Sequence, residues 1–171
     1  LGIVGMGGIG REVAKRASGF GMRIVYHNRN RDEAAEAELN ASYLPLDELL
    51  GTADFVSLNM PLDDSTRGMI GEREISLMRP DAFLVNAARG AVVDTDALTR
   101  ALSERRIAGA ALDVTEPEPL PRNHPLLALD NVVVLPHLGT STVQTRKRMG
   151  EMTLDNLLAG LAGKPLPNRV V

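Results

Sequence analysis

Three kinds of side chain that can hold or move charge each stand just after an apolar run of this 171-residue chain. Arg89 follows one such run in the string Asn86-Ala87-Ala88-Arg89-Gly90. Acids follow another in Asp113-Val114-Thr115-Glu116-Pro117-Glu118-Pro119, and His137 follows a third in Leu135-Pro136-His137-Leu138-Gly139. An arginine can grip a carboxylate through two parallel hydrogen bonds. A histidine titrates near neutrality and can therefore give or take a proton. A carboxylate beside a histidine orients the ring and favours its charged form. Taken singly, each of these residue types is more often structural than catalytic. Converging at the carboxyl ends of neighbouring strands, they suit carbonyl reduction.

A second kind of chemistry is written at the start of the chain. The apolar run Leu1-Gly2-Ile3-Val4 leads into Gly5-Met6-Gly7-Gly8-Ile9-Gly10 and then into a stretch of helical character. A strand, a glycine turn and a helix in that order seat the pyrophosphate of a dinucleotide. Gly5 allows the turn, Gly7 lets the backbone approach the phosphates, and Gly10 lets helix and strand pack closely. The helix N-terminus adds free N–H groups and the positive end of its dipole. Ile9, Val13, Ala17 and Phe20 recur at helical spacing, which strengthens the reading of the glycine string as the start of a helix. The next strand closes on Tyr26-His27-Asn28-Arg29-Asn30-Arg31, with no carboxylate before Asp32. An acid at that strand end binds a ribose 2′-hydroxyl, and a basic group accommodates a 2′-phosphate. Asn28 and Arg29 can both donate to a phosphate, Arg29 as a planar fork. The expected cofactor is NADP(H), with NAD(H) possible.

Composition removes several alternatives. A net charge of −3 argues against nucleic acid as a partner, since phosphate binding shows as a basic excess. Zero Cys excludes disulfides and cysteine-ligated metal; no metal site is expected, and a reducing, cytoplasmic location fits. No apolar run approaches the roughly 18 residues that would suggest a membrane span. The absence of Trp and 3% aromatic content leave little for a base-stacking platform.

The elements that must position these groups alternate along the chain. Strands are expected over Met22 to Tyr26, Ala41 to Leu44, Asp54 to Asn59, Ala82 to Asn86, Ala108 to Val114 and Asn131 to Leu135. Helices are expected over Arg31 to Leu39, Pro45 to Leu50 and Gly71 to Met78, then after Asp94 as N-cap, and from about Thr140 to Leu161. Glu116 to Pro125 contains four prolines and reads as an extended loop. His27 and His124 read as surface loop residues. Near-continuous apolar strands separated by helices predict an α/β fold of Rossmann type, a doubly wound parallel sheet with helices on both faces.

The co-ordered motifs Gly5 to Gly10, Pro61-Leu62 with Thr66, Asn86-Ala87-Ala88-Arg89-Gly90, Leu112-Asp113-Val114 with Glu118-Pro119-Leu120, and Pro136-His137-Leu138-Gly139 resemble those of the D-isomer-specific 2-hydroxyacid dehydrogenases. The segments Asp113 to Pro121 and Asn123-His124-Pro125-Leu126 are similar to the glyoxylate/hydroxypyruvate reductase branch. The resemblance implies that Arg89 binds the substrate carboxylate and carbonyl, that His137 is the acid/base and that Glu118 is its hydrogen-bonded partner. It implies that Gly7, Gly8 and Ile9 cradle the pyrophosphate, that Pro61 and Thr66 line the cofactor cleft, and that Ala87 and Ala88 lie behind the nicotinamide. Asp113 would contact the carboxamide, with His137 and Gly139 closing the cofactor site. The partner implied is a small 2-oxo or 2-hydroxy acid, and the intact protein is expected to be a homodimer. Residues 1–139 are expected to form the NAD(P)-binding domain, and 140–171 a helix and tail leading back toward a substrate domain absent from this chain. Phosphoglycerate, formate and phosphonate dehydrogenases share the motifs, as do co-repressors of the CtBP type. Their distinguishing contacts lie partly in that absent segment.

Overall fold

The computed structural model describes residues 1–170. The short apolar runs are strands: β1 (Gly2–Val4), β2 (Ile24–His27), β3 (Ala41–Tyr43), β4 (Phe55–Leu58), β5 (Phe83–Asn86), β6 (Gly109–Leu112) and β7 (Val132–Val134). All pair in parallel, in the spatial order β3-β2-β1-β4-β5-β6-β7. The chain starts in the middle of the sheet, builds to one edge, then returns past β1 to build toward the other. Ligands of such sheets sit in the crevice where the order reverses, outside the carboxyl ends of the strands.

The helices are α1 (Gly8–Ser18), α2 (Glu33–Leu39), α3 (Leu46–Thr52), α4 (Glu72–Leu77), α5 (Thr95–Ser103) and α6 (Val143–Leu161). Successive residues of a strand face opposite sides of a sheet, and β1 shows the consequence. Ile3 joins a buried cluster with Ala14, Ala17, Tyr26 and Ala35, which involves α1 and α2. Val4 joins a larger cluster with Leu49, Leu50, Ile75, Leu98 and Leu102, built from α3, α4 and α5. Two cores on two faces are the doubly wound arrangement expected from the alternation.

Several boundaries differ from expectation for identifiable reasons. The second strand starts at Ile24 rather than Met22, because the Met22 N–H is spent on the Ala17 carbonyl at the end of α1. α2 starts at Glu33 rather than Arg31, because Asp32 is its N-cap and accepts from the Ala35 N–H at 3.0 Å. Asp94 caps α5 as expected, accepting from the Ala97 N–H at 2.9 Å. Two short 3₁₀ turns, Gly90–Val92 and Pro125–Ala128, were not anticipated. The buried face of α1 is Gly10, Ala14 and Ala17, while Ile9 and Phe20 are exposed. Close helix–strand packing at the glycine turn leaves room for only small side chains on that face.

The chain divides into two compact units, Leu1–Pro136 and His137–Val171. In the second, Thr142 caps α6 by accepting from the Thr145 N–H at 3.1 Å. The tail turns back onto that helix, where Asn156 and Asn168 exchange hydrogen bonds of 3.0 and 3.1 Å. Among the described residues, no helix is long and apolar enough to cross a membrane.

Candidate functional site: a cleft at the reversal of the sheet

The glycine turn is held from both sides. The Gly5 N–H donates to the His27 carbonyl at 3.0 Å, and the Asn59 N–H donates to the Val4 carbonyl at 2.8 Å. The ends of β1, β2 and β4 thus meet at one point. Gly5 has φ +96°, a region that L side chains rarely adopt. A Cβ on Gly10 would run into the Gly5 carbonyl oxygen, so turn and helix can be this close only with glycine there. Gly7 and Gly8 differ: a Cβ on either meets nothing within 4 Å. These two glycines border open space, into which the N-terminus of α1 points its unpaired N–H groups. α1 has no side-chain cap and no acid in its first turn. Both features leave the positive helix end available to an anion.

Two cavities meet at this turn, sharing Gly7, Asn59, Met60 and Pro61. The first, of about 320 Å³, reaches from Gly5 and Gly7 to Asn28, Arg29, Asp63 and Thr66. The second, of about 620 Å³, runs from Gly7, Gly8 and Ile9 to Ala87, Ala88 and Arg89. Together they form a cleft whose middle is lined by Gly7, Asn59, Met60 and Pro61 and whose ends carry arginine. An extended molecule with a central diphosphate and a group at each end fits this shape. The glycine cradle therefore suits a dinucleotide.

At the first end, Asn28 accepts the Met6 N–H on Oδ1 at 2.7 Å, which ties the end of β2 to the glycine turn. His27 belongs to β2 rather than to a surface loop; its Nδ1 lies 3.1 Å from the Leu44 carbonyl and its ring packs near Tyr43. Thr66 is buried and donates to the Pro61 carbonyl at 2.7 Å, fixing the turn that carries both lining residues. Of the arginines near β2, Arg31 makes a fork on Glu36 with two bonds of 2.7 Å, and Arg11 bridges Asp32 and Glu38. Arg29 has a side chain 78% exposed and reaches Asp63 only at 3.8 Å. Of these three it is the most exposed and the most loosely paired.

At the second end, buried Asn86 shapes the loop after β5. Its amide group donates to the Arg89 carbonyl and its oxygen accepts the Ala88 N–H, each at 3.0 Å. Arg89 Nη1 donates to the Ala88 carbonyl at 2.7 Å. Gly90 then passes so close to Thr115 that a Cβ would overlap the Thr115 carbonyl. Thr115 Oγ1 donates to the Pro117 carbonyl at 2.9 Å and Thr95 Oγ1 to the Glu116 carbonyl at 2.8 Å. These bonds fix the start of the proline-rich segment, which contains two cis peptides, Glu116–Pro117 and Glu118–Pro119. Asn86, Gly90 and Thr115 are positioning residues that sequence reading passed over. The signal available was a polar residue ending a buried strand and a glycine directly after the candidate arginine.

Gly5, Gly7, Gly8, Ile9, Asn28, Arg29, Pro61, Thr66, Ala87, Ala88 and Arg89 therefore line one cleft. Gly10 lies behind it as a packing residue. Asp113 and Glu118 stand after β6 in the first unit and are not in the lining of either cavity. His137 and Gly139 lie at the start of the second unit, and His137 takes a left-handed backbone conformation with φ +56°. His124 caps the 3₁₀ turn at Pro125, its Nδ1 accepting the Leu126 N–H at 3.2 Å, a structural role.

The sequence family described as "D-isomer specific 2-hydroxyacid dehydrogenase, NAD binding domain" matches residues 1–139. The chain belongs to this family. It is 53% identical over 170 residues to a glyoxylate reductase of Aeropyrum pernix, covering 99% of this chain and 51% of that protein. It is 49% identical to glyoxylate/hydroxypyruvate reductase B of Enterobacter agglomerans, covering 99% of this chain and 53% of that one. The crystal structure of the TT0316 protein from Thermus thermophilus superposes with a TM-score of 0.93 at 50% identity, over 99% of this chain and 53% of that one. The chain thus spans about half the length of the relatives it matches.

Proposed function

We propose that the protein is a reductase of small 2-oxo acids, of the glyoxylate/hydroxypyruvate type, that prefers NADPH. In this reading residues 1–139 are its dinucleotide-binding domain and 140–171 the helix and tail that follow. The observation that carries the proposal is the cleft itself: a glycine cradle in the middle, an exposed Arg29 at one end and Arg89 at the other. The identity to glyoxylate reductases supports the substrate class.

The chemistry that a reduced nicotinamide brings to such a cleft is hydride transfer to a carbonyl carbon. The residues of the chain do the rest. Gly7, Gly8 and the N-terminus of α1 hold the diphosphate through backbone N–H groups. Arg29, with the amide group of Asn28, receives the 2′-phosphate. Pro61 and Thr66 shape one wall, and Ala87 and Ala88 leave space beside the nicotinamide, whose carboxamide Asp113 contacts. Arg89 holds the substrate carboxylate and sets the carbonyl. His137 gives its proton to the carbonyl oxygen, and Glu118 orients the imidazole.

Steady-state kinetics of the full-length protein with glyoxylate and hydroxypyruvate test this assignment. His137→Ala should lower turnover by roughly 10²–10⁴-fold, the range for loss of a general acid. Arg89→Ala should raise KM steeply by removing the carboxylate anchor. Wild-type turnover in His137→Ala would contradict the role of the histidine as proton donor. An unchanged KM in Arg89→Ala would contradict the role of the arginine as anchor.

A further inference from the structure

Asp63 sits in the turn after β4, on the wall of the cavity that also holds Arg29. Its two carboxylate oxygens have different work. Oδ1 is committed to the turn: it accepts the Ser65 N–H at 2.9 Å, the Ser65 hydroxyl at 2.6 Å and the Thr66 N–H at 3.1 Å. Oδ2 faces the arginine, 3.8 Å from Arg29 Nη1. The Ser65 hydroxyl bond, foremost among several causes, holds the carboxyl below its usual range. An anion held in its turn therefore stands opposite an exposed cation, inside the pocket that would take the adenosine end of a dinucleotide.

We propose that Asp63 is a specificity-determining residue that tempers the preference for NADPH by holding Arg29 when no 2′-phosphate is present. The inference rests on the reading of Arg29 as the receiver of that phosphate. With a 2′-hydroxyl, Arg29 stays against Asp63, its charge balanced. With a 2′-phosphate, Arg29 must leave Asp63, and the pairing between them is given up. An exposed ion pair of this length is weak, so the exchange is possible at small cost. That cost nevertheless falls on one cofactor only. A neutral residue at 63 would give a stricter NADPH enzyme.

The test is a cycle of four proteins: wild type, Asp63→Asn, Arg29→Ala and the double variant. Affinities for NADPH and NADH are measured by calorimetry, with adenosine 2′,5′-bisphosphate and AMP as probes of the adenosine end alone. Asparagine keeps an Oδ1 acceptor for Ser65 and Thr66 and removes the charge. Asp63→Ser, which also keeps an acceptor, is a second variant should the first unfold. The expected result is a rise of roughly two- to fivefold in the NADPH:NADH affinity ratio in Asp63→Asn, the size of an exposed ion-pair coupling. The rise should disappear when Arg29 is already alanine. An unchanged or lower ratio in a folded Asp63→Asn protein would overturn the proposal, and so would an equal rise in the Arg29→Ala background. Failure of the underlying reading shows separately, as an unchanged ratio in Arg29→Ala alone.

Discussion

Arg11, Arg29 and Arg31 lie near one another in sequence or across the end of β2, yet their surroundings assign them different work. Arg31 is bound to Glu36, which also accepts from the buried hydroxyl of Tyr26 at 2.8 Å. Arg11 ties α1 to Asp32 and Glu38. Only Arg29 pairs loosely within the cavity. Replacing it with alanine should weaken NADPH binding by about 1.5–3 kcal/mol, the value of a lost charged hydrogen bond, and NADH binding by much less. Arg31→Ala should leave the cofactor ratio alone and lower the melting temperature. Titration of both cofactors against the two variants checks both statements, and equal weakening of NADPH and NADH in Arg29→Ala would refute the first. The sequence points to Arg29 by its place directly after Asn28, but not to the engagement of Arg31, which stands only one asparagine further on. What separates them is that Glu36 lies one helical turn into α2, within reach of Arg31.

At the scale of elements, glycine spacing and apolar alternation revealed most of the sheet. What they could not reveal was where backbone donors are spent. Met22 looks like strand but gives its N–H to Ala17. The 3₁₀ turn after Arg89 has no apolar period at all; it exists because Gly90 lies on Thr115. Gly10→Ala puts a Cβ against the Gly5 carbonyl, a backbone atom that cannot rotate away, and should destabilise the fold by about 1–3 kcal/mol. Denaturant unfolding measures this, and an unchanged midpoint would show that the turn yields. Asp32 caps α2, and its carboxyl is held below the usual range first by the Ala35 N–H and next by Arg11. A carboxylate with a depressed native pKa stabilises the fold above its unfolded value and loses that contribution as pH falls through the native one. Asp32→Asn should therefore melt below wild type at pH 7, and the gap should narrow once the pH drops below the ordinary aspartate range. A gap independent of pH would mean that the charge of Asp32 contributes nothing.

Across the whole molecule, the sheet order β3-β2-β1-β4-β5-β6-β7 explains why residues as distant as Gly7, Arg29, Pro61 and Arg89 share one cleft. Alternation of strands and helices announced a doubly wound sheet, but no local pattern states which strands become neighbours. The return past β1 places the Pro61–Thr66 turn beside the glycine turn, and the adjacent β5 delivers Arg89. A net charge of −3 is compatible with an anionic ligand because the attraction is local, at the uncapped end of α1. In the proposed function a diphosphate occupies the open space beside Gly7. That space is empty of protein atoms to 4 Å, and Gly7 has an extended backbone, φ −82° and ψ −161°, open to any residue. Gly7→Ala should therefore change stability by less than about 1 kcal/mol. Its methyl group would nevertheless stand where the phosphates must come, costing about 1.4–3 kcal/mol, or roughly tenfold or more in NADPH affinity. Calorimetric titration of Gly7→Ala with NADPH decides the matter. A well-folded variant with binding reduced tenfold or more is the predicted result, and one that binds NADPH as tightly as wild type would contradict the placement of the cofactor.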